Sequence, residues 1–128
     1  MNISQAAKLT GLSAKQIRDY EKRGLLKAST RTLSGYRYYE ENDLARLRFI
    51  RHSRGVGFSL QQIAQLLQLQ DNPNRNCREV KQLTAQHIET LNAQIHALQK
   101  MVAELQRWHD SCQGNDFPEC SILTGLSE

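Results

Sequence analysis

The feature that most constrains this chain is an uninterrupted run from Cys77 to Asp110 that holds neither glycine nor proline. Apolar residues recur along it at Val80, Leu83, Ile88, Leu91, Ile95, Leu98, Val102 and Leu105. That periodicity predicts one continuous amphipathic helix. At 1.5 Å per residue it would span roughly 50 Å. A chain of 128 residues forms one domain, or one small domain with an extension. Such a domain is too small to cover an apolar stripe of that length. A coiled coil with a second copy is the economical solution, and closed two-fold dimers are the commonest oligomers.

The charge is divided between the two parts of the chain. Residues 1–54 hold twelve Lys and Arg against five Asp and Glu, whereas residues 55–128 hold five against eight. A basic N-terminal part followed by a slightly acidic remainder is the footprint of a nucleic-acid reader with a second function behind it. Charge alone fits a plain solvated surface equally well, so motifs must decide. Met1-Asn-Ile-Ser4 carries no basic segment leading into an apolar run, and nowhere do about 18 apolar residues follow one another. With three cysteines, an odd number, the expectation is a cytoplasmic protein with reduced thiols and no membrane partner. No glycine-rich phosphate loop, Ser/His/Asp order or His-Glu-x-x-His motif points to an enzyme.

Ahead of the long helix the pattern is one of short elements. Ser4 is placed to cap a first helix carrying Ala6, Ala7 and Leu9 and ending before Gly11. Ser13 is placed to cap a second, 14–23, that stops at Gly24 and carries Lys15, Arg18, Tyr20 and Lys22. Two short helices joined by a tight turn with glycine are a helix-turn-helix, or an ordinary helical hairpin with a charged outer face. Residues 27–39 read as a small β-hairpin, or wing, turning at Ser34-Gly35 and carrying Arg31 and Arg37 with three tyrosines. Asn42 or Asp43 should cap a third helix, 43–54, and Ser59 a fourth, 60–69. Asp71 to Asn74 reads as a turn. The expected organisation is a DNA-binding domain over 1–70, a linker over 71–76, a dimerisation helix over 77–110, and a loop with a short helix over 111–128.

Near the C-terminus Cys112 and Cys120 bracket a loop containing Gly114, Asn115, Asp116 and Pro118, residues that fold a chain back on itself. Two facing thiolates with no imidazole between them suit a soft metal ion of low coordination number. Phe117, Ile122 and Leu123 are candidates to shield such an ion, and the helix start at Ser121 to stabilise its negative charge. His109, one turn before Cys112, is a possible further ligand, though a polar helix-end residue is the commoner role for such a histidine. His87, Met101 and Trp108 fit the packed stripe of the long helix. The competing functions for the cysteine pair are a reversible disulfide in a thiol redox sensor and a metal-buffering site.

Taken in order, Ile17-Arg18-Asp19-Tyr20-Glu21, Gly24-Leu25-Leu26, Arg31, Ser34-Gly35-Tyr36-Arg37-Tyr38-Tyr39, Leu47, Ile50-Arg51, Arg54, Gly57-Phe58-Ser59-Leu60 and Ile63 resemble the MerR family of bacterial transcription regulators. The likeness runs over essentially the whole chain. The tail, Cys112-x₇-Cys120 followed by Ser121-Ile122-Leu123, is similar to the CueR-like branch, which responds to copper, silver and gold and activates copper-efflux and oxidation genes. The resemblance implies a mainly α protein, a winged helix-turn-helix followed by a long dimerisation helix and a short C-terminal metal-binding loop. It implies a homodimer held by an antiparallel coiled coil. It also implies binding to double-stranded promoter DNA with an overlong spacer, distorted on metal binding so that RNA polymerase engages it. By matched position it assigns DNA contacts to Lys15, Arg18, Tyr20, Arg31, Tyr36, Arg37 and Arg54. It assigns Cu(I), or Ag(I) or Au(I), to Cys112 and Cys120 in near-linear geometry.

Two residues depart from that pattern. Asp19 stands where many members carry an aromatic residue; an acid there changes operator preference or serves as a salt-bridge partner. Cys77 stands where the coinage-metal branch has serine and the branch sensing Zn(II), Cd(II), Pb(II) or Hg(II) has cysteine. Contributed by the partner protomer, it would be a third thiolate and would suit a divalent ion. The loop matches the coinage-metal branch over more residues, so Cu(I) is the first expectation and a divalent ion the alternative.

Overall fold

The computed structural model describes residues 1–26, 35 and 37–128. Among these the chain is mainly helical. In order come α1 (Ile3–Thr10), α2 (Ala14–Lys22), α3 (Glu41–Gly55), α4 (Leu60–Asp71), α5 (Cys77–Ser111) and α6 (Ser121–Ser127). The expected wing falls mostly on residues 27–34 and 36, which lie outside the described residues, as do Arg31 and Tyr36 among the expected DNA contacts. The chain divides into two compact units, Met1–Val80 and Lys81–Glu128.

Three helices of the first unit start in the same way. Asn2, Ser13 and Ser59 each accept from the amide three residues on, at 2.9, 3.0 and 3.1 Å. The glutamine at that position, Gln5, Gln16 or Gln62, accepts in return from the capping residue's own amide. Each box satisfies two amides that would otherwise lack partners. The cap of α1 is therefore Asn2 and not Ser4, because Gln5 stands three residues after Asn2, whereas Ala7 follows Ser4 at that distance. Helix α3 begins at Glu41, two residues earlier than expected. Asp43 lies inside its first turn and accepts from the Glu40 amide at 2.9 Å. There its charge also complements the helix N-terminus. Helix α4 runs on to Asp71, so the expected turn starts one residue later.

The core of this unit follows from which faces are apolar. Ala6 on α1, Ile17 and Tyr20 on α2, Leu44, Leu47 and Ile50 on α3, and Ile63 and Leu67 on α4 are buried together. Leu25, Leu26 and Tyr39 join them. Helix α1 packs on α2 and α3, and α3 packs on α4. Each fully buried Ile or Leu contributes about 1.5–3 kcal/mol relative to exposure. Helix α1 ends at Gly11, whose φ of +76° is costly for any residue with a Cβ. A Cβ there would also lie 3.1 Å from the Arg51 guanidinium. Tyr39 exchanges two backbone hydrogen bonds with Met1, at 2.7 and 3.0 Å.

Helix α5 is continuous over 35 residues. Its stripe stays uncovered: Ile88, Ile95, Leu98, Met101, Val102 and Leu105 are each more than half exposed. His87, by contrast, is buried. No helix among the described residues is long and apolar enough to cross a membrane.

Candidate functional site

Helix α2 has two faces. Ile17 and Tyr20 enter the core, while Lys15, Arg18 and Lys22 lie exposed at i, i+3 and i+7. Tyr20 was expected to contact DNA, but its side chain belongs to the core and is 5% exposed. The i, i+3 spacing from Ile17 carries that signal in the sequence. Asp19 takes the salt-bridge role: its carboxylate pairs with Arg23 Nε at 2.9 Å, one turn on, and so shields part of that face.

Arg37 was also expected at the DNA. Its side chain is 10% exposed, with Nη1 3.0 Å from the Glu21 carboxylate and Nη2 4.0 Å from Asp43. The guanidinium lies 4.8 Å from the centre of the Tyr39 ring. The Tyr39 hydroxyl donates to Glu21 as well. Burial, and then that hydrogen bond, push the Tyr39 phenol well above its ordinary range, so it is neutral at any working pH. Arg37 is therefore a strut between α2 and the start of α3. Arg54 is exposed at the end of α3 and donates to the Phe58 carbonyl at 3.2 Å, which fixes its direction. Arg46 was not singled out from sequence. Its Nε donates to the Leu25 carbonyl and its Nη1 to both oxygens of Asp71, which ties α3 to the turn after α2 and to the end of α4. Nothing local marks it, because its partners lie 21 and 25 residues away.

In the second unit the loop after α5 returns on itself, and Cys112 Sγ and Cys120 Sγ lie 3.8 Å apart. Asn115 accepts from the Phe117 amide at 3.0 Å and builds the turn. Ser111 and Ser121 hydroxyls lie 2.9 Å apart and both reach the Trp108 carbonyl, so the two ends of the loop are joined beside the sulfurs. The backbone amide of Leu123, helped by that of Ile122, holds the Cys120 thiol below its ordinary value. Both cysteines are half-buried. The expected apolar shield is incomplete within one chain, because Phe117 is 72% and Leu123 64% exposed, and only Ile122 is half-buried.

Two sulfurs at this distance can share an ion. With metal–sulfur bonds of about 2.3 Å, the S···S edge of a tetrahedral site is about 3.8 Å and a linear arrangement needs about 4.6 Å. Among the described residues no three His, Cys, Asp or Glu side chains gather around one point, so His109 does not complete a site with the pair. Cys77 is exposed as the first residue of α5.

Two family models match the chain, the MerR HTH family regulatory protein over residues 1–70 and "MerR, DNA binding" over residues 44–108. The chain belongs to the MerR family of transcriptional regulators, which bind DNA and are not enzymes. It is 76% identical over 127 residues to a "Probable heavy metal-dependent transcriptional regulator" of Haemophilus influenzae, covering 99% of each chain. It is 39% identical over 127 residues to the transcriptional regulator CueR of Salmonella typhi, covering 99% of this chain and 92% of that one. Among solved structures it superposes on the transcription regulator PbrR691 of Ralstonia metallidurans in complex with lead(II). That match has a TM-score of 0.87, 35% identity and 98% coverage of both chains. Within its family the chain thus groups with regulators that depend on heavy metals.

Proposed function

We propose that this protein is a metal-responsive transcriptional activator that captures a soft metal ion with Cys112 and Cys120. The observation that carries this reading is the pair of sulfurs 3.8 Å apart in the loop that ends α5, in a chain of the MerR family. A lowered Cys120 thiol leaves less proton to displace when an ion is taken up. The exposed stripe on α5 supports a homodimer: Ile88, Ile95, Leu98, Val102 and Leu105 follow alternating steps of seven, three and four, the seam of a coiled coil. The exposed Lys15, Arg18 and Arg54 support contact with promoter DNA, through base edges from α2 and through phosphates elsewhere. RNA polymerase would act on the promoter that the loaded dimer distorts.

A divalent ion such as Pb(II), Cd(II), Zn(II) or Hg(II) is one reading, and Cys77 is the residue that supports it. Cys77 of a second protomer would supply a third thiolate, which suits a divalent ion. The likeness to PbrR691 with its lead(II) points the same way. Cu(I), with Ag(I) and Au(I), is the second reading. It rests on the loop's length and composition and on the likeness to CueR. A competition titration distinguishes them. Wild-type protein and Cys77→Ser are loaded against chelators buffered for Cd(II), Pb(II), Zn(II) and Cu(I). The divalent reading predicts that Cys77→Ser weakens divalent binding at least tenfold and leaves Cu(I) binding unchanged. Equal divalent affinity in the two proteins, with tighter Cu(I) binding in both, makes the site a coinage-metal site.

A further inference from the structure

Gly125 sits inside α6, where glycine is a poor helix former. Its surroundings explain it. A Cβ at this position would lie 2.4 Å from Trp108 Cε2 and Nε1 and 2.8 Å from Cδ2, closer than any real contact. The backbone of α6 therefore rests directly on the indole face, and no other residue type fits without separating them. The same tryptophan holds the loop from its other side. Its carbonyl accepts from the Cys112 amide at 3.1 Å and from the Ser121 hydroxyl at 3.2 Å. Trp108 thus contacts the residue carrying one sulfur and the residue following the other. Helix α6 begins at Ser121, and Cys120 is its cap, so the seat of α6 decides where the Cys120 sulfur lies. Phe117, Leu123 and Leu126 are exposed, and the Gly125–Trp108 contact and the Ser111–Ser121 hydrogen bond join α6 to the end of α5.

We propose that Gly125 and Trp108 form a dock that sets the separation of the Cys112 and Cys120 sulfurs, and so act as positioning residues for ion capture. The capture of an ion rests on the function proposed above; the spacing of the sulfurs does not.

The test separates the two. In full-length protein carrying Cys77→Ser, only the loop thiols remain. They are equilibrated without metal against glutathione disulfide, where two thiols and one glutathione disulfide give the loop disulfide and two glutathione thiols. The equilibrium constant reports how well the sulfurs are held together. Gly125→Val should lower it at least tenfold and shift Trp108 emission to the red, while helical content and DNA binding stay as in the parent. Gly125→Ala, a better helix former that still places a Cβ against the indole, should also lower the constant, which mere destabilisation of α6 would not produce. A constant unchanged within twofold in either Gly125 variant overturns the dock. Cd(II) and Cu(I) titrations of wild type, with Cys77 intact, test the function proposed above. A wild type that binds neither ion, with the constant still falling in Gly125→Val, removes the metal function and upholds the dock.

Discussion

Arg37 Nη1 lies 3.0 Å from the carboxylate of Glu21, with both side chains largely buried, and this pair joins α2 to the segment leading into α3. A guanidinium there braces α2 against the start of α3. Glu21 accepts from both Arg37 and the Tyr39 hydroxyl, so truncating it removes a largely buried carboxylate at a cost of about 3 kcal/mol. Glu21→Ala should therefore lower the free energy of unfolding in urea by about that amount, and adding Arg37→Met should recover part of it. A loss below about 0.5 kcal/mol in the single variant would show that the pair is solvated.

Arg18 and Lys15 share the exposed face of α2. If Arg18 reads a base edge, Arg18→Ala weakens binding to the operator by about 1–3 kcal/mol and relaxes sequence preference. If Lys15 instead contacts a phosphate, Lys15→Ala weakens binding to all sequences alike and reduces the salt slope by about one. Fluorescence anisotropy on operator and scrambled duplexes at several salt concentrations measures both. Tyr20→Phe should leave affinity unchanged, because that ring is in the core.

Much of this was legible beforehand, and the failures have physical causes. The apolar steps along α3, α4 and α5 correctly announced helices, since burial of one face imposes the period. The cap of α1 was misread because Asn2 and Ser4 are both good caps. The deciding residue was Gln5, three places after Asn2, a pattern repeated at Ser13-Gln16 and Ser59-Gln62. The Arg37–Glu21 pair was not foreseen because a basic residue in a basic stretch says nothing about which carboxylate it meets 16 residues earlier. The seat of Gly125 on Trp108 lies across a loop, and only an out-of-place glycine in a short helix hinted at it.

Gly11 combines a φ of +76° with the Arg51 guanidinium 3.1 Å from where a Cβ would stand. Gly11→Ala should lose about 1–2 kcal/mol, from the left-handed conformation alone. The melting temperature should fall by several degrees. An unchanged melting temperature would mean that the end of α1 readjusts at no cost.

The Cys120 thiol is held below its ordinary value by the Leu123 amide first and the Ile122 amide second. A depressed value in the folded loop means that the thiolate favours the folded loop above the unfolded thiol's pKa, and that this contribution disappears as pH falls through the folded value. In a protein with Cys77→Ser and Cys112→Ser, the pH profile of alkylation should have its midpoint below that of a free cysteine. Unfolding in urea should return it to the ordinary value. A midpoint identical in both states contradicts the amide interaction.

Transcription in vitro tests the central claim most directly. The template is a promoter with an overlong spacer bearing an operator selected by the protein itself. RNA polymerase and buffered Cd(II), Pb(II), Zn(II) or Cu(I) are supplied to wild-type, Cys112→Ser and Cys120→Ser proteins. The account predicts that metal raises transcript from wild type at least tenfold, while both variants bind the operator normally and give no increase. Full metal-dependent activation by either serine variant, or equal activation by metal-free wild type, would contradict it.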